Sequence, residues 1–321
     1  MGEFDLIQRF FQRDNNKLGE GVNLGIGDDC AVLTPTLGMQ WLVSTDMLVE
    51  GRHFLATVDP QRLGHKALAV NLSDLAACGA TPRAFTLALA LPRVDEAFLA
   101  GFAQGLFALA DQHGIALVGG DTTAGPLNIC ITVMGELPPG TALLRSGARV
   151  GDDVYVSGQT LGDARLALAV FRGTASLGAD QFETVRRAME CPQPRVALGQ
   201  ALRGVATSAI DVSDGLVGDL GHILQRSGVG ARLNVDALPC SAVLAAQPLA
   251  LRREYALAGG DDYELVFTAP ASSRAAVQRA SATSATPATC IGRIEAQSGL
   301  RLTDAQGQIL PLALHSFDHF K

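Results

Sequence analysis

Apolar positions along the chain fall into two rhythms. Short runs rich in Val, Ile and Leu have the length and bounds of strands: CAVLT, QWLVSTD, AFTLALALP, IALVGGD, ICITVMGEL, DVYVSG, TSAIDVSD, YELVFT and CIGRI. Between them lie longer stretches with helical spacing at 60–78, 94–113, 161–172, 179–190, 193–203 and 214–227. Gly79 and Gly228 close the first and last of these as C-cap glycines would. The opening MGEFDLIQRFFQR reads as an amphipathic helix with Phe4, Ile7, Phe10 and Phe11 on one face. Alternation of strands with helices specifies an α/β protein. The turn-rich stretch from Pro138 to Asp153 divides it into domains 1–140 and 141–321. GGD occurs at 119–121 and again at 259–261, a hint that the halves share a plan, and 272–290 reads as a surface helix and loop.

Composition narrows the partners. With 321 residues, 48% of them hydrophobic, the chain can bury a large core. A net charge of −7 and only 18% charged residues exclude the basic stripe of a nucleic-acid binder. Lysine stands only at Lys17, Lys66 and Lys321, so cationic work falls to arginine. No apolar run reaches the roughly 18 residues of a membrane span, and the N-terminus does not resemble a secretory signal. The expectation is a soluble, cytoplasmic protein without membrane contact. Cys30, Cys78, Cys130, Cys191, Cys240 and Cys290 form no CxxC pair, so buried, reduced thiols are expected rather than a zinc site or disulfide framework, with Cys30 in a buried strand.

The chemistry concentrates in aspartates. QWLVSTD closes on Asp46, IALVGGD on Asp121, and TSAIDVSDGL carries Asp211 and Asp214. The C-terminal edge of α/β strands is where ligands bind, although an aspartate beside glycine serves equally as a turn or helix cap, and Ser213 and Asp214 fit that role too. Asp74 differs: it interrupts the apolar helix LGHKALAVNLSDLAACG, with Asn71 one turn earlier on the same face. Asp29, in GIGDDCAVL, runs directly into an apolar segment. Converging carboxylates cannot all stay ionised without a cation, and an all-oxygen set supplemented by Ser44 and Thr45 suits Mg²⁺ or Mn²⁺. The sequence holds no EF-hand loop, no GxxxxGK[ST] loop and no complete GxGxxG. A Mg²⁺-rich, lysine-poor site points to polyphosphate chemistry, with Arg145 in LLRSGARVGDD as the candidate phosphate clamp.

Taken in order, GIGDDCAVL, STDMLVEGRHF, KALAVNLSDLAACGATP, LVGGDTTAGP, RSGARVGDDVYVSG, SAIDVSDGL and GGDDYELVFT resemble the thiamine-monophosphate kinase family, which belongs with aminoimidazole ribonucleotide and selenophosphate synthetases. The resemblance implies a two-domain α/β (α+β) fold: an N-terminal domain whose sheet joins a partner's in a barrel-like homodimer interface, then a C-terminal α/β domain. It implies phosphorylation of thiamine monophosphate by ATP. Asp29, Ser44, Thr45, Asp46, Asp74, Asp121, Asp211 and Asp214 would hold several Mg²⁺ ions, and Asp29, Asp46, Asp74 and Asp211 would carry catalysis. Gly120, Asp121, Arg145 and Ser213 would touch ATP; His53, Asp261 and Phe317 would contact the thiamine substrate. Asp261 stands where relatives often carry Glu, and Phe317 where they carry Tyr or Trp.

An acceptor that is a phosphate monoester needs no general base, because its second pKa of about 6 leaves it anionic at neutral pH. That accords with the absence of an obvious His/Asp dyad and predicts direct γ-phosphoryl transfer without a phosphoenzyme. Two alternatives stay open: another ATP-dependent synthetase of the same superfamily, and a non-catalytic metal-binding protein.

Overall fold

The computed structural model describes residues 2–13, 19–312 and 314. Residues 1–75 and 80–140 form one compact unit; 76–79 and 141–321 form a second.

The first unit begins with α1 (Glu3–Phe10), β1 (Val22–Leu24) and β2 (Val32–Leu33), followed by β3 (Gln40–Val49), α2 (Pro60–Ala77), β4 (Thr81–Leu91), α3 (Glu96–His113), β5 (Ala116–Ala124) and β6 (Asn128–Leu137). Its four-stranded sheet has the order β3-β6-β4-β5 and is open, with β3 at one edge. β3 and β4 run antiparallel to β6, while β4 and β5 are parallel. Helix α2 is buried along most of its length because it packs backbone-close on α3: a side chain at Gly64 would collide with Phe102 O, and one at Gly105 with Gln61 O. Only glycine permits that approach. Helix α3 starts where Asp95 accepts from the amides of Ala97 and Phe98, and stops at Gly114, whose φ is 62°.

The second unit contains β7 (Asp153–Ser157), α4 (Asp163–Phe171), α5 (Ala179–Glu190), α6 (Val196–Ala201), β8 (Ser208–Asp211), α7 (Leu216–Ser227), β9 (Gly230–Asn234), α8 (Ala242–Ala245), α9 (Leu249–Ala258), β10 (Leu265–Ala269), α10 (Arg274–Thr283), β11 (Ala288–Glu295) and β12 (Gly299–Thr303). Its six strands have the order β12-β9-β11-β7-β10-β8. Val154, Val156, Ile210, Val266, Ile291 and Ile294 from this sheet pack with Leu216, Leu220, Ile223 and Leu224 of α7 into one core.

The mixed α/β character agrees with the sequence pattern, and several details correct it. Phe4 is 82% exposed, and α1 instead buries Leu6, with Phe11 buried just beyond its end. Cys30 is exposed and precedes a strand of only two residues; none of the six thiols is fully buried. β1, β9 and β12 escaped the pattern because VNL is only three residues long, and GARLN and GLRLT break their short apolar content with Arg, Asn and Thr. The two GGD strings differ in setting: Gly119–Asp121 lies inside β5, whereas Gly259–Asp261 lies in the loop after α9. Among the described residues no helix is long and apolar enough to cross a membrane.

Candidate functional site

In the first unit, β3 brings two site residues against α2. Ser44 Oγ donates to Asp74 Oδ2 at 2.5 Å, and the Asp46 amide donates to Asn71 Oδ1 at 3.0 Å. Asn71 is itself buried and fixed by its own amide, which donates to Ala67 O at 2.9 Å. A carboxylate inside an apolar helix is thus matched to a hydroxyl-bearing strand. The strand does not close on Asp46, as the sequence suggested; it continues to Val49, with Asp46 opposite Ile131 of β6.

Strand alternation separates the remaining predicted ligands of this sheet. The Thr45 side chain turns to the face opposite Ser44 and Asp46, where its hydroxyl meets that of Thr132 at 2.8 Å. Asp121 also lies inside its strand, and it is exposed. The β4–β5 register skips Val118, so Asp121 aligns through Ala88 with Cys130 and Met47, on the Thr45 face. Gly120, with φ of 148°, lies so close to Leu87 that a side chain there would overlap the Leu87 backbone. Burial, with Asp46 nearby, pushes the Cys130 thiol above its ordinary range.

Asp28 and Asp29 are exposed, the Asp29 amide donating to Asp28 Oδ1 at 2.9 Å. His53 Nδ1 accepts from the Val49 amide at 2.9 Å, which fixes the ring at the end of β3. Next to it in sequence, Phe54 joins Leu55, Val58, Phe98, Leu127, Glu50 and others around a cavity of about 340 Å³.

In the second unit the site residues sit on two interlocked loops. Asp211 ends β8 and is 5% exposed. Beyond it, the amides of Ser213, Asp214 and Gly215 all donate to one oxygen, Asp219 Oδ2, at 3.0, 3.1 and 3.1 Å. Asp219 lies in the first turn of α7, where a carboxylate faces the positive end of the helix. Burial, and then the neighbouring Asp214, nevertheless push its carboxyl up to about 7 against the pull of those three amides.

The GGDD loop docks on this turn: Asp261 N donates to Ser213 O at 2.7 Å, and Tyr263 N to Val212 O at 2.8 Å. Glu264 is buried with Arg195 in a forked ion pair, with contacts of 2.5 and 2.7 Å, and accepts a further bond from Ser157 Oγ at 2.5 Å. Arg145 is exposed, and Phe317 lies outside the described residues.

Sequence reasoning passed over Asp163, Arg195, Asp219, Asp262 and Glu264. One signal was available: GGDDYE carries three acids straight into the fully buried strand LVFTA, which demands buried partners. Among the described residues, neither unit gathers three or more His, Cys, Asp or Glu into a group that could hold a metal ion.

Comparison with known proteins matches residues 27–137 to the N-terminal domain, and 149–305 to the C-terminal domain, of AIR synthase related protein. The thiamine-monophosphate kinase of Salmonella typhimurium is 46% identical over 325 residues, covering 99% of this chain and 98% of that protein. The chain belongs to the thiamine-monophosphate kinase family. Its fold agrees with that membership. The crystal structure of thiamine-monophosphate kinase from Stenotrophomonas maltophilia aligns with a TM-score of 0.85 at 44% identity, covering 96% of each chain. AaThiL complexed with AMPPCP and TMP aligns with a TM-score of 0.77 at 28% identity, covering 97% of this chain and 100% of that one. The two matched family domains agree with the two-domain α/β fold class expected from the sequence.

Proposed function

We infer that the chain transfers the γ-phosphoryl group of ATP to thiamine monophosphate, yielding ADP and thiamine diphosphate. The observation that carries this is the 46% identity to a thiamine-monophosphate kinase along essentially the whole chain. A neighbour holding AMPPCP, an ATP analogue with a non-hydrolysable β–γ bridge, together with TMP supports the same pair of substrates.

The chemistry of the residues fits. Both reactants are anionic, so the work is to screen and align phosphates rather than to deprotonate a nucleophile. The donors present are carboxylate and hydroxyl oxygens, which suit a hard divalent cation. In our reading Asp29, Ser44, Thr45, Asp46, Asp74, Asp121, Asp211 and Asp214 hold Mg²⁺, which when bound neutralises phosphate charge. Gly120, Asp121, Ser213 and Arg145 contact ATP. Ser44 and Asp74, already hydrogen-bonded, support this assignment most directly; the Thr45 hydroxyl instead meets that of Thr132.

We assign the thiamine moiety to His53 and Asp261, and by family resemblance to Phe317, which lies outside the described residues. The cavity at Phe54 is lined by Phe54 and Phe98 together with the acids Glu50 and Asp95, a set that suits a cationic heteroaromatic ring. The long edge strand β3 exposes Val43 at 64% and Met47 at 53%, which supports homodimerisation through this sheet. A cytoplasmic location completes the reading. Incubation with ATP, Mg²⁺ and separate candidate acceptors tests it: ADP release should depend on thiamine monophosphate, and release without it, or none with it, refutes the assignment.

A further inference from the structure

Two carboxylate oxygens of the second unit, Asp163 Oδ2 and Asp262 Oδ2, are buried without a hydrogen-bond partner. Asp262 has the more unusual backbone setting. It is flanked by two non-glycine residues in the left-handed region, Asp261 at φ 62° and Tyr263 at φ 52°. Such residues are disfavoured because Cβ crowds the following carbonyl, and they persist where surrounding structure enforces them.

Three bonds enforce this turn. Two are backbone bonds to Ser213 O and Val212 O. The third is made by a side chain: Gly162 N donates to Asp262 Oδ1 at 2.8 Å. Gly162 is itself locked, with φ of 82° and no room for a side chain against the Tyr255 and Ala256 backbone. The donor at the start of α4 is therefore a fixed point, and Asp262 is the strut that ties the turn to it.

We propose that Asp262 is a positioning residue whose buried carboxyl group, held by the Gly162 amide, keeps the 261–263 turn in its strained form and so presents Asp261 to thiamine monophosphate. This rests on the function inferred above. Burial, opposed by the Gly162 amide and reinforced by Glu264, Asp261 and Asp163, pushes the Asp262 carboxyl well above the ordinary carboxylate range. A neutral amide that keeps the acceptor oxygen should therefore serve in its place.

Steady-state kinetics on the full chain test this, with the parent protein's thiamine-monophosphate-dependent ADP release measured first; its absence would refute the inferred function, separately from the role of Asp262. Asp262→Ala should raise KM for thiamine monophosphate at least tenfold while leaving KM for ATP within twofold. Asp262→Asn should stay within threefold of the parent for both substrates. Asp261→Ala should raise the same KM, and the double variant Asp261→Ala/Asp262→Ala should add nothing further. If Asp262→Ala does not fold, Asp262→Glu, whose extra methylene pushes the turn outward, should show the selective rise. Equal effects on both substrates, additive effects in the double variant, or a tenfold rise in Asp262→Asn would overturn the proposal.

Discussion

Ser44 Oγ and Asp74 Oδ2 meet at 2.5 Å, joining the middle of an edge strand to the interior of a helix. Most of α2 is buried among Leu68, Leu72, Leu75 and their neighbours, so a carboxylate there answers to the strand that faces it. Replacing Asp74 by Asn keeps the shape and a hydrogen-bonding group but removes the charge. The expected result is a fall in kcat of about 10² or more, the scale of losing one charge-stabilising group, with a circular dichroism spectrum and melting temperature like the parent's.

Asp219 predicts a coupled loss of stability and nucleotide binding. Asp219→Ala strands three amides that now share one carboxylate oxygen. Unpaired buried donors should cost about 2 kcal/mol or more in urea denaturation, and KM for ATP should rise because Ser213 and Asp214 lose their anchor. Asp219→Asn, which keeps an acceptor oxygen, should lose less of both.

Asp163 sets a pH dependence. Burial pushes its carboxyl up to about 6, against the hydrogen bond from Ser241. Between roughly pH 4 and that value the folded chain retains a proton that the unfolded chain releases. The stability tied to that proton is present at pH 4 and lost as pH rises through 6. Asp163→Asn cannot ionise and keeps an acceptor for Ser241, so its advantage over the parent should grow by roughly 2–3 kcal/mol from pH 4 to pH 8, read from thermal melts across that range.

The fork between Arg195 and Glu264 makes a different demand. Arg195→Met leaves the Glu264 charge buried with, among the described residues, only the Ser157 hydroxyl to bond it. That should cost about 3 kcal/mol and lower the melting temperature by roughly 6–12 °C. The double variant Arg195→Met/Glu264→Met should recover part of the loss, since an apolar pair strands no charge.

The sequence was most legible where periodicity is strong. Helices α2, α3, α5 and α7 fall within about two residues of their predicted limits, and the runs at β3, β4, β6 and β7 are strands. β9 and β12 were not legible, because GARLN and GLRLT are only five residues long and break their few apolar positions with Arg, Asn and Thr, although Ala231, Leu233 and Leu302 are buried in the core. At the site, Asp74 stood out because it breaks an apolar helix, and its partner Ser44 lies in the STD string of the apolar run QWLVSTD. Asp219 and Asp262 did not stand out: a carboxylate aimed back at its own helix start, or buried beneath a turn, looks in sequence like any polar residue beside glycine. The opposite facing of Thr45 and Asp46 follows from alternation once β3 is known to run through both. The facing of Asp121 does not, since it depends on the skipped Val118.

Direct transfer between two phosphates is tested most plainly by following the γ-phosphoryl group. The protein is mixed with Mg²⁺ and ATP carrying label in that group, with and without thiamine monophosphate. The account predicts label in thiamine diphosphate in a one-to-one ratio with ADP, and none bound to protein when the acceptor is withheld. Label trapped covalently on the chain with ATP alone, or released only as inorganic phosphate when the acceptor is present, would contradict it.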